Sequence, residues 1–135
     1  MPNRWIKKRL FHAKAGAKGG KRNGIYYRSR WEFCVSLVLD AMKSAGLIHS
    51  WGYEKKEFSF PVKRGTRFYK PDFEVVNREG EPPVYWEVKG LMAAKDVTAL
   101  SRMARYYPEV QVLIVGKKEY AEFESEYGHL EGWER

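Results

Sequence analysis

The sequence predicts an α/β domain in which a central mixed β-sheet is flanked by helices. Three observations predict it. Apolar residues recur at helical spacing from Trp31 to Met42, and short strand-like stretches separated by turn residues fill Ile48 to Lys89. A helix, a wholly buried strand and a second helix then close the chain between Met92 and Tyr127. At 135 residues, 44% of them apolar, the chain has the size and the material for one domain with a real core.

The first segment is basic. Residues 1–30 hold ten Lys/Arg and no acid, whereas residues 31–135 hold fifteen against seventeen acids, so the net charge of +8 originates in the N-terminal arm. Arg4 to Phe11 has the pattern of a short basic helix. Ala15 to Gly24 carries four glycines among basic residues and reads as a flexible arm, setting a division between residues 1–24 and a domain of residues 25–135. Such an arm suits a polyanion, and nucleic acid is the expected partner over a merely solubilising role. Arg4, Lys7, Lys8, Arg9, Lys14, Lys18, Lys21 and Arg22 are its candidate phosphate contacts, joined by Arg28 and Arg30 at the start of the first helix.

Ser29-Arg30-Trp31-Glu32 has the form of a capping box and opens a helix to about Ala45. Trp31, Cys34, Val35, Val38, Met42 and Ala45 make its expected buried face, and Gly46 ends it. Strands are expected at Ile48–Glu54, Phe58–Val62, Phe68–Val76 and Val84–Lys89. Lys63-Arg64-Gly65-Thr66 and Asn77-Arg78-Glu79-Gly80 supply turns between them. A helix from Met92 to Tyr107 stops at Pro108, Val110–Val115 is a strand, and Lys117–Tyr127 is a last helix before a tail from Gly128. The final strand–helix–strand unit calls for a parallel crossover.

Several classes are excluded. No apolar run approaches the ~18 residues of a membrane span, and the start lacks the apolar stretch of a signal peptide. The single cysteine, Cys34, allows no internal disulfide and points to a reducing, cytoplasmic setting. His12, His49 and His129 are scattered, which argues against structural zinc.

The chemistry-bearing residues are Pro71-Asp72-Phe73 and Glu87-Val88-Lys89. On a strand, residues two apart share a face, so Glu87 and Lys89 point together while Val84, Trp86 and Val88 point into the core. Pairing Val76 with Val84 in a hairpin makes Asp72 a neighbour of Glu87, and a one-residue slip sets the two directly opposite. Two carboxylates and an ammonium at one hairpin end suit Mg²⁺, which takes one or two carboxylates with water and substrate phosphate. A surface ion pair is the plainer reading of Glu87 and Lys89, and a strand-start residue that of Asp72. A strand buried on its other face gives those charges a stronger reason to be there.

This order resembles the PD-(D/E)XK, restriction-endonuclease-like nuclease superfamily. Tyr27-Arg28-Ser29-Arg30-Trp31-Glu32, Gly46, Tyr69-Lys70-Pro71-Asp72-Phe73, Glu87-Val88-Lys89-Gly90-Leu91 and Tyr107-Pro108-Glu109 are similar to the phage endonuclease I group that resolves four-way DNA junctions. They equally resemble small phage nucleases. The resemblance implies that Asp72, Glu87 and the Val88 backbone carbonyl hold Mg²⁺, with Mn²⁺ able to substitute. It also implies that Lys89 assists the attacking water and that Glu32 completes the site, directly or through water. Glu32 has a second reading as the third residue of the capping box, bonded only to the Ser29 amide.

The resemblance further implies a homodimer, a phage or mobile-element origin, and action on branched DNA in the host cytoplasm. Lys95, on the helix after the site, is a further candidate DNA contact, although solvated-face charge explains Lys95, Arg102 and Arg105 equally well. Two rivals stand beside the junction enzyme: a sequence-specific restriction or transposon-end nuclease, and a catalytically silent DNA-binding protein.

Overall fold

The computed structural model describes residues 18–133. The Arg4–Phe11 helix and the arm through residue 17, with Arg4, Lys7, Lys8, Arg9 and Lys14, lie outside them. The element order is β1 (Lys18–Arg22), β2 (Ile25–Ser29), α1 (Arg30–Ser44), β3 (Ser50–Tyr53), β4 (Phe58–Ser59), β5 (Phe68–Tyr69), β6 (Phe73–Val76), β7 (Val84–Val88), α2 (Ala94–Tyr106), β8 (Gln111–Val115) and α3 (Lys117–Tyr127).

The end of the expected flexible arm is instead a β-hairpin. β1 pairs antiparallel with β2, Arg22 standing opposite Ile25 across the two-residue turn Asn23-Gly24. Both turn residues have positive φ, 50° and 80°, which matches the twist of a tight hairpin and which Asn-Gly adopts at little cost. The strands lie so close at Gly19 that a Cβ there would fall 1.7 Å from the Tyr27 carbonyl oxygen, so the residue must be glycine.

The central sheet has four strands in the order β3-β6-β7-β8. β6 pairs antiparallel with both β3 and β7, and β7 pairs parallel with β8 through the α2 crossover. The architecture is thus a mixed α/β one, with a mixed sheet and three helices. Of the stretches the sequence predicts as strands, Phe58–Val62 supplies only β4, outside this sheet, and Phe68–Val76 enters it only through its second half, β6. Pro71 has no amide hydrogen and divides the second stretch, leaving β5 to pair with β4 in a separate two-stranded ladder.

Strand alternation places two cores on the two faces of β7. Val84, Trp86 and Val88 join α1, α3, β6 and β8 in the larger one, while Tyr85 joins Phe58, Phe60 and Met103 beneath α2. Every residue of β7 is buried. The same alternation puts Glu87 on the Tyr85 side, where α2 and β5 lie.

α1 is buried more widely than one amphipathic face requires. Phe33, Ser36, Leu37 and Leu39 are enclosed along with the expected residues, and Ala45 is exposed. The sequence from Gly128 explains this, because it is not a loose tail. Trp133 is buried and stacks on Tyr120 at 5.5 Å, and Gly132 passes close to Phe33 and Leu37. Gly46, at φ 75°, ends α1 as expected. No helix among the described residues is long and apolar enough to cross a membrane.

Candidate active site

The register of the sheet assembles the site. Phe73 faces Trp86 and Val75 faces Val84, so the pairing of β6 with β7 is the slipped alternative, and its extension sets Asp72 level with Glu87. On the other side Tyr53 pairs with Phe73, and the Glu54 amide donates to the Asp72 carbonyl at 2.8 Å, continuing that ladder by one rung. Glu54, Asp72 and Glu87 therefore form a row across three neighbouring strands. Glu54 is a non-glycine residue at φ 50°, a conformation disfavoured for L side chains and found disproportionately at functional sites.

Asp72 is 3% exposed and Glu87 and Glu32 are each 7% exposed, far more buried than carboxylates ordinarily are. Each is held. The Val88 amide donates to Asp72 Oδ2 at 2.7 Å and Arg28 donates to Oδ1 at 3.2 Å. The Tyr69 hydroxyl donates to Glu87 Oε1 at 2.7 Å. Glu32 receives the Tyr53 hydroxyl on Oε1 and the Ser29 hydroxyl on Oε2.

The capping reading of Glu32 is met only in part. Ser29 Oγ accepts the Glu32 amide at 3.1 Å and so caps α1, but the Glu32 carboxylate turns toward the site and not back to the Ser29 amide. Val88 enters the site through its amide, its side chain lying in the core. Lys89 Nζ lies 3.5 Å from Asp96 on the first turn of α2, and its charge also reaches Glu87.

Arg28 is the centre of the charge arrangement. One guanidinium nitrogen contacts Asp72, Glu54 and, at 3.9 Å, Glu32, while Nε donates to the Tyr53 hydroxyl at 3.4 Å. Burial works against its charge, but Tyr53 and the carboxylates outweigh it and hold the guanidinium firmly protonated. The sequence offers Arg28 as a phosphate contact; in the structure it neutralises the acidic row.

Two other arginines are also occupied internally. Arg22 pairs with Asp40 and donates to Ser36, clamping the hairpin to α1. Arg30 lies over the Phe33 ring and donates to the Gly132 carbonyl at 3.0 Å. Both are candidate DNA contacts from the sequence, and in the structure each ties a chain segment to α1. Lys21 and Lys95 are exposed, and Lys18 contributes backbone pairing to β1.

The electrostatics follow from burial. Asp72 is pushed well above the usual carboxylate range by desolvation, then by the charges of Glu87 and Glu32, against the opposing pull of the Val88 amide and Arg28. Glu87 is pushed up to about 7, chiefly by burial; Tyr69 and Lys89 hold it down while Asp96 and Glu32 raise it. Burial and the negative charge of Glu87 drive the Tyr69 hydroxyl far above its ordinary value, so it remains a donor. Buried carboxylates whose ionisation is suppressed by one another stand to gain from an added cation.

Among the described residues no group of three or more His, Cys, Asp or Glu side chains is gathered tightly enough to hold a metal ion unaided. Asp72 and Glu87 nevertheless supply the two carboxylates that Mg²⁺ commonly takes, its other ligands being water and phosphate oxygen. The donor set fits that ion in kind.

The sequence does not single out Tyr53, Glu54 or Asp96, and it offers Tyr69 only as part of the Tyr69-Lys70-Pro71-Asp72-Phe73 motif. Tyr69 carried one signal, its place on the strand preceding Pro71-Asp72; Asp96 carried another, an acid in the first turn of a helix that follows Lys89. Glu54 carried none, since its place depends on a left-handed backbone that no local pattern announces.

The chain matches no protein-family model, no curated protein and no solved structure.

Proposed function

We propose that the protein is a Mg²⁺-dependent DNA endonuclease with a restriction-endonuclease-like core. The observation that carries this reading is the buried Asp72–Glu87 pair, level across two adjacent strands with Lys89 next to it on β7's extension. The sequence order of PD-(D/E)XK nucleases agrees with it.

Hydrolysis of a phosphodiester requires a deprotonated water to attack phosphorus, the P–O bond to the leaving sugar to break, and the leaving oxygen to take a proton. A divalent ion held by Asp72, Glu87 and the Val88 carbonyl would lower the pKa of water and offset charge on the phosphate. Lys89 places a positive charge beside the reacting phosphate, stabilising the negative charge that grows on its oxygens. Tyr69 fixes the Glu87 carboxylate and favours its ionised form. Glu32, anchored by Tyr53 and Ser29, adds negative charge on the α1 side of the site. Arg28 balances the row when no other cation is present.

Branched DNA is the proposed substrate, processed by a homodimer that presents two such sites to two of the four strands of a four-way junction. A test compares cleavage of four-way junction, duplex and single-stranded DNA of matched sequence with Mg²⁺ or Mn²⁺, alongside sedimentation for oligomeric state. Metal-dependent cleavage with preference for the junction is expected. One observation favours a second reading, a silent DNA-binding protein: the Arg28 guanidinium itself compensates Glu32, Glu54 and Asp72. DNA binding with no nicking of plasmid in either metal would select it.

A further inference from the structure

α2 and the turn between β4 and β5 enclose an open groove of about 550 Å³, lined by Val62, Thr98, Ser101, Arg102, Arg105 and Tyr106 together with Val97. The groove is constructed and not incidental. Arg102 donates to the carbonyls of Arg64 and Thr66, holding that turn against the helix, and Tyr106 packs near Phe60 in the smaller core. Its surroundings are basic. Arg105 lines the groove over the Tyr106 ring, and Lys63, Arg64 and Arg67 belong to the adjoining turn, with Arg67 over the Phe68 ring. All four are exposed, and among the described residues none of them forms an ion pair with a carboxylate. From Lys63 to Arg67 there is no acid, and α2 has only Asp96, which is paired with Lys89.

We infer that this groove is a second nucleic-acid contact, binding the sugar–phosphate backbone of the DNA whose scissile phosphate lies at Asp72 and Glu87. The inference rests on the proposed nuclease reading and adds to it a place for the flanking strand. Charge and shape both favour this occupant. Guanidinium groups and the Ser101 hydroxyl suit phosphate oxygens, and the half-exposed Val97 offers an apolar contact for a sugar.

Arg105 is nine residues beyond Asp96 on the same helix, about 13.5 Å along its axis and two and a half turns on, so it stands on the opposite side of α2 from Asp96. A DNA backbone that reaches both the catalytic row and the groove crosses over the helix.

The test uses the full chain. Lys63→Gln, Arg67→Gln and Arg105→Gln, singly and combined, are compared with Lys118→Gln on α3 as a control. Binding to a matched duplex is measured without divalent metal across a salt series. The combined variant should lower the log–log salt slope by about 2.7, at 0.9 for each phosphate no longer neutralised, while Lys118→Gln leaves it unchanged. Hydrolysis of bis(p-nitrophenyl) phosphate with Mn²⁺, a substrate too small to reach the groove, should be unaltered.

An unchanged slope in the combined variant, beside a wild type that binds and cleaves DNA, overturns the groove alone. A wild type that neither binds nor cleaves DNA overturns the nuclease reading, and the groove with it. Equal displacement of DNA by polyglutamate of matched charge would make the surface a site for acidic protein and also overturn the inference. If the combined variant loses its melting transition, the Lys63/Arg67 pair, both on the exposed turn, is expected to lower the slope by about 1.8, and no change there is equally decisive.

Discussion

Arg28 Nη2 lies 3.2 Å from Asp72 Oδ1, and the same nitrogen also reaches Glu54 and Glu32. A single guanidinium from a surface hairpin thus compensates three carboxylates contributed by a helix, a strand end and a left-handed turn. Taking away one partner of a buried charge pair leaves the other uncompensated, and this is the costly way to break it.

Arg28→Ala is therefore expected to destabilise the metal-free protein at neutral pH by about 1–3 kcal/mol, a figure reduced for the exposure of the arginine. Mg²⁺ or Mn²⁺ should restore much of the loss, because an ion that binds only the native state stabilises it by mass action. Thermal melts with and without metal measure both effects. A variant whose melting point ignores metal would show that Arg28 and the proposed cation do not share these carboxylates.

Asp72→Asn and Glu87→Gln should each abolish cleavage while leaving binding to branched DNA intact or tighter, since both carboxylates are buried and neither has the charge to attract phosphate. Glu87→Gln carries a second expectation. Glu87 rises from 4.5 to about 7 in the folded chain, so the native state keeps its proton between those values while the unfolded state has lost it. Stability of the metal-free protein should then fall as pH rises from 4.5 to 7 and stay low above that. Glu87→Gln should flatten this part of the stability profile in urea melts.

Tyr69→Phe should move the pH profile upward. The Tyr69 hydroxyl donates to Glu87 and favours its ionised form, and without it the carboxyl should titrate above about 7. In the metal-free protein the pH range over which stability falls is expected to extend about half a unit or more toward higher pH, an effect equivalent to about 1 kcal/mol, read in urea melts. A uniform drop at all pH values would assign Tyr69 to packing alone.

Glu32→Gln separates helix stability from catalysis. The α1 cap rests on Ser29 Oγ and the Glu32 amide, which the substitution retains, and Gln can still accept from Tyr53 or Ser29. The melting point should remain near native while the cleavage rate falls by roughly a hundredfold or more, about 3 kcal/mol of transition-state stabilisation. Full activity at an unchanged melting point would remove Glu32 from the site.

Residues 1–17 contribute Arg4, Lys7, Lys8, Arg9 and Lys14. Their removal should weaken DNA binding and flatten its salt dependence by about 0.9 for each phosphate the arm neutralises, leaving the melting point in place. Cutting at residue 24 would differ, since it deletes β1 and the Arg22–Asp40 clamp. The two truncations, measured side by side, separate a loss of charge from a loss of fold.

Much of this arrangement was legible where the chain obeys a single period. α3 occupies Lys117–Tyr127 as expected, and α1 begins at the Ser29 cap because Ser29 is followed by residues that favour a first turn. The alternation of Val84, Trp86 and Val88 against Glu87 and Lys89 gave the faces of β7 before any register was known. The hairpin was legible but missed: Asn23-Gly24 is a strong local turn signal, masked by glycines that suggested flexibility. Pro71 likewise announced the break between β5 and β6.

The rest depends on long-range encounters. Arg28 meeting Asp72, or Trp133 closing over α1, joins residues far apart in sequence, and no local pattern distinguishes an arginine that binds phosphate from one that binds carboxylate. The register of β6 against β7 belongs to the same class, because the hydrophobic pattern left two alignments one residue apart and only packing chose between them.

β7 lies inside the sheet with β6 on one side and β8 on the other, and cores cover both of its faces. Its amides should be among the last in the molecule to exchange with deuterium, opening only when the whole domain unfolds. Glu87 is mounted on this strand, and the Val88 amide that clamps Asp72 belongs to it. Tyr69 comes instead from a two-residue strand, and Asp96 from the outermost turn of a helix. Exchange should therefore divide the site into a slow half that carries the carboxylates and a fast half that adjusts their surroundings. Substitutions in the fast half would alter pH response and substrate range while the slow half preserves the reaction.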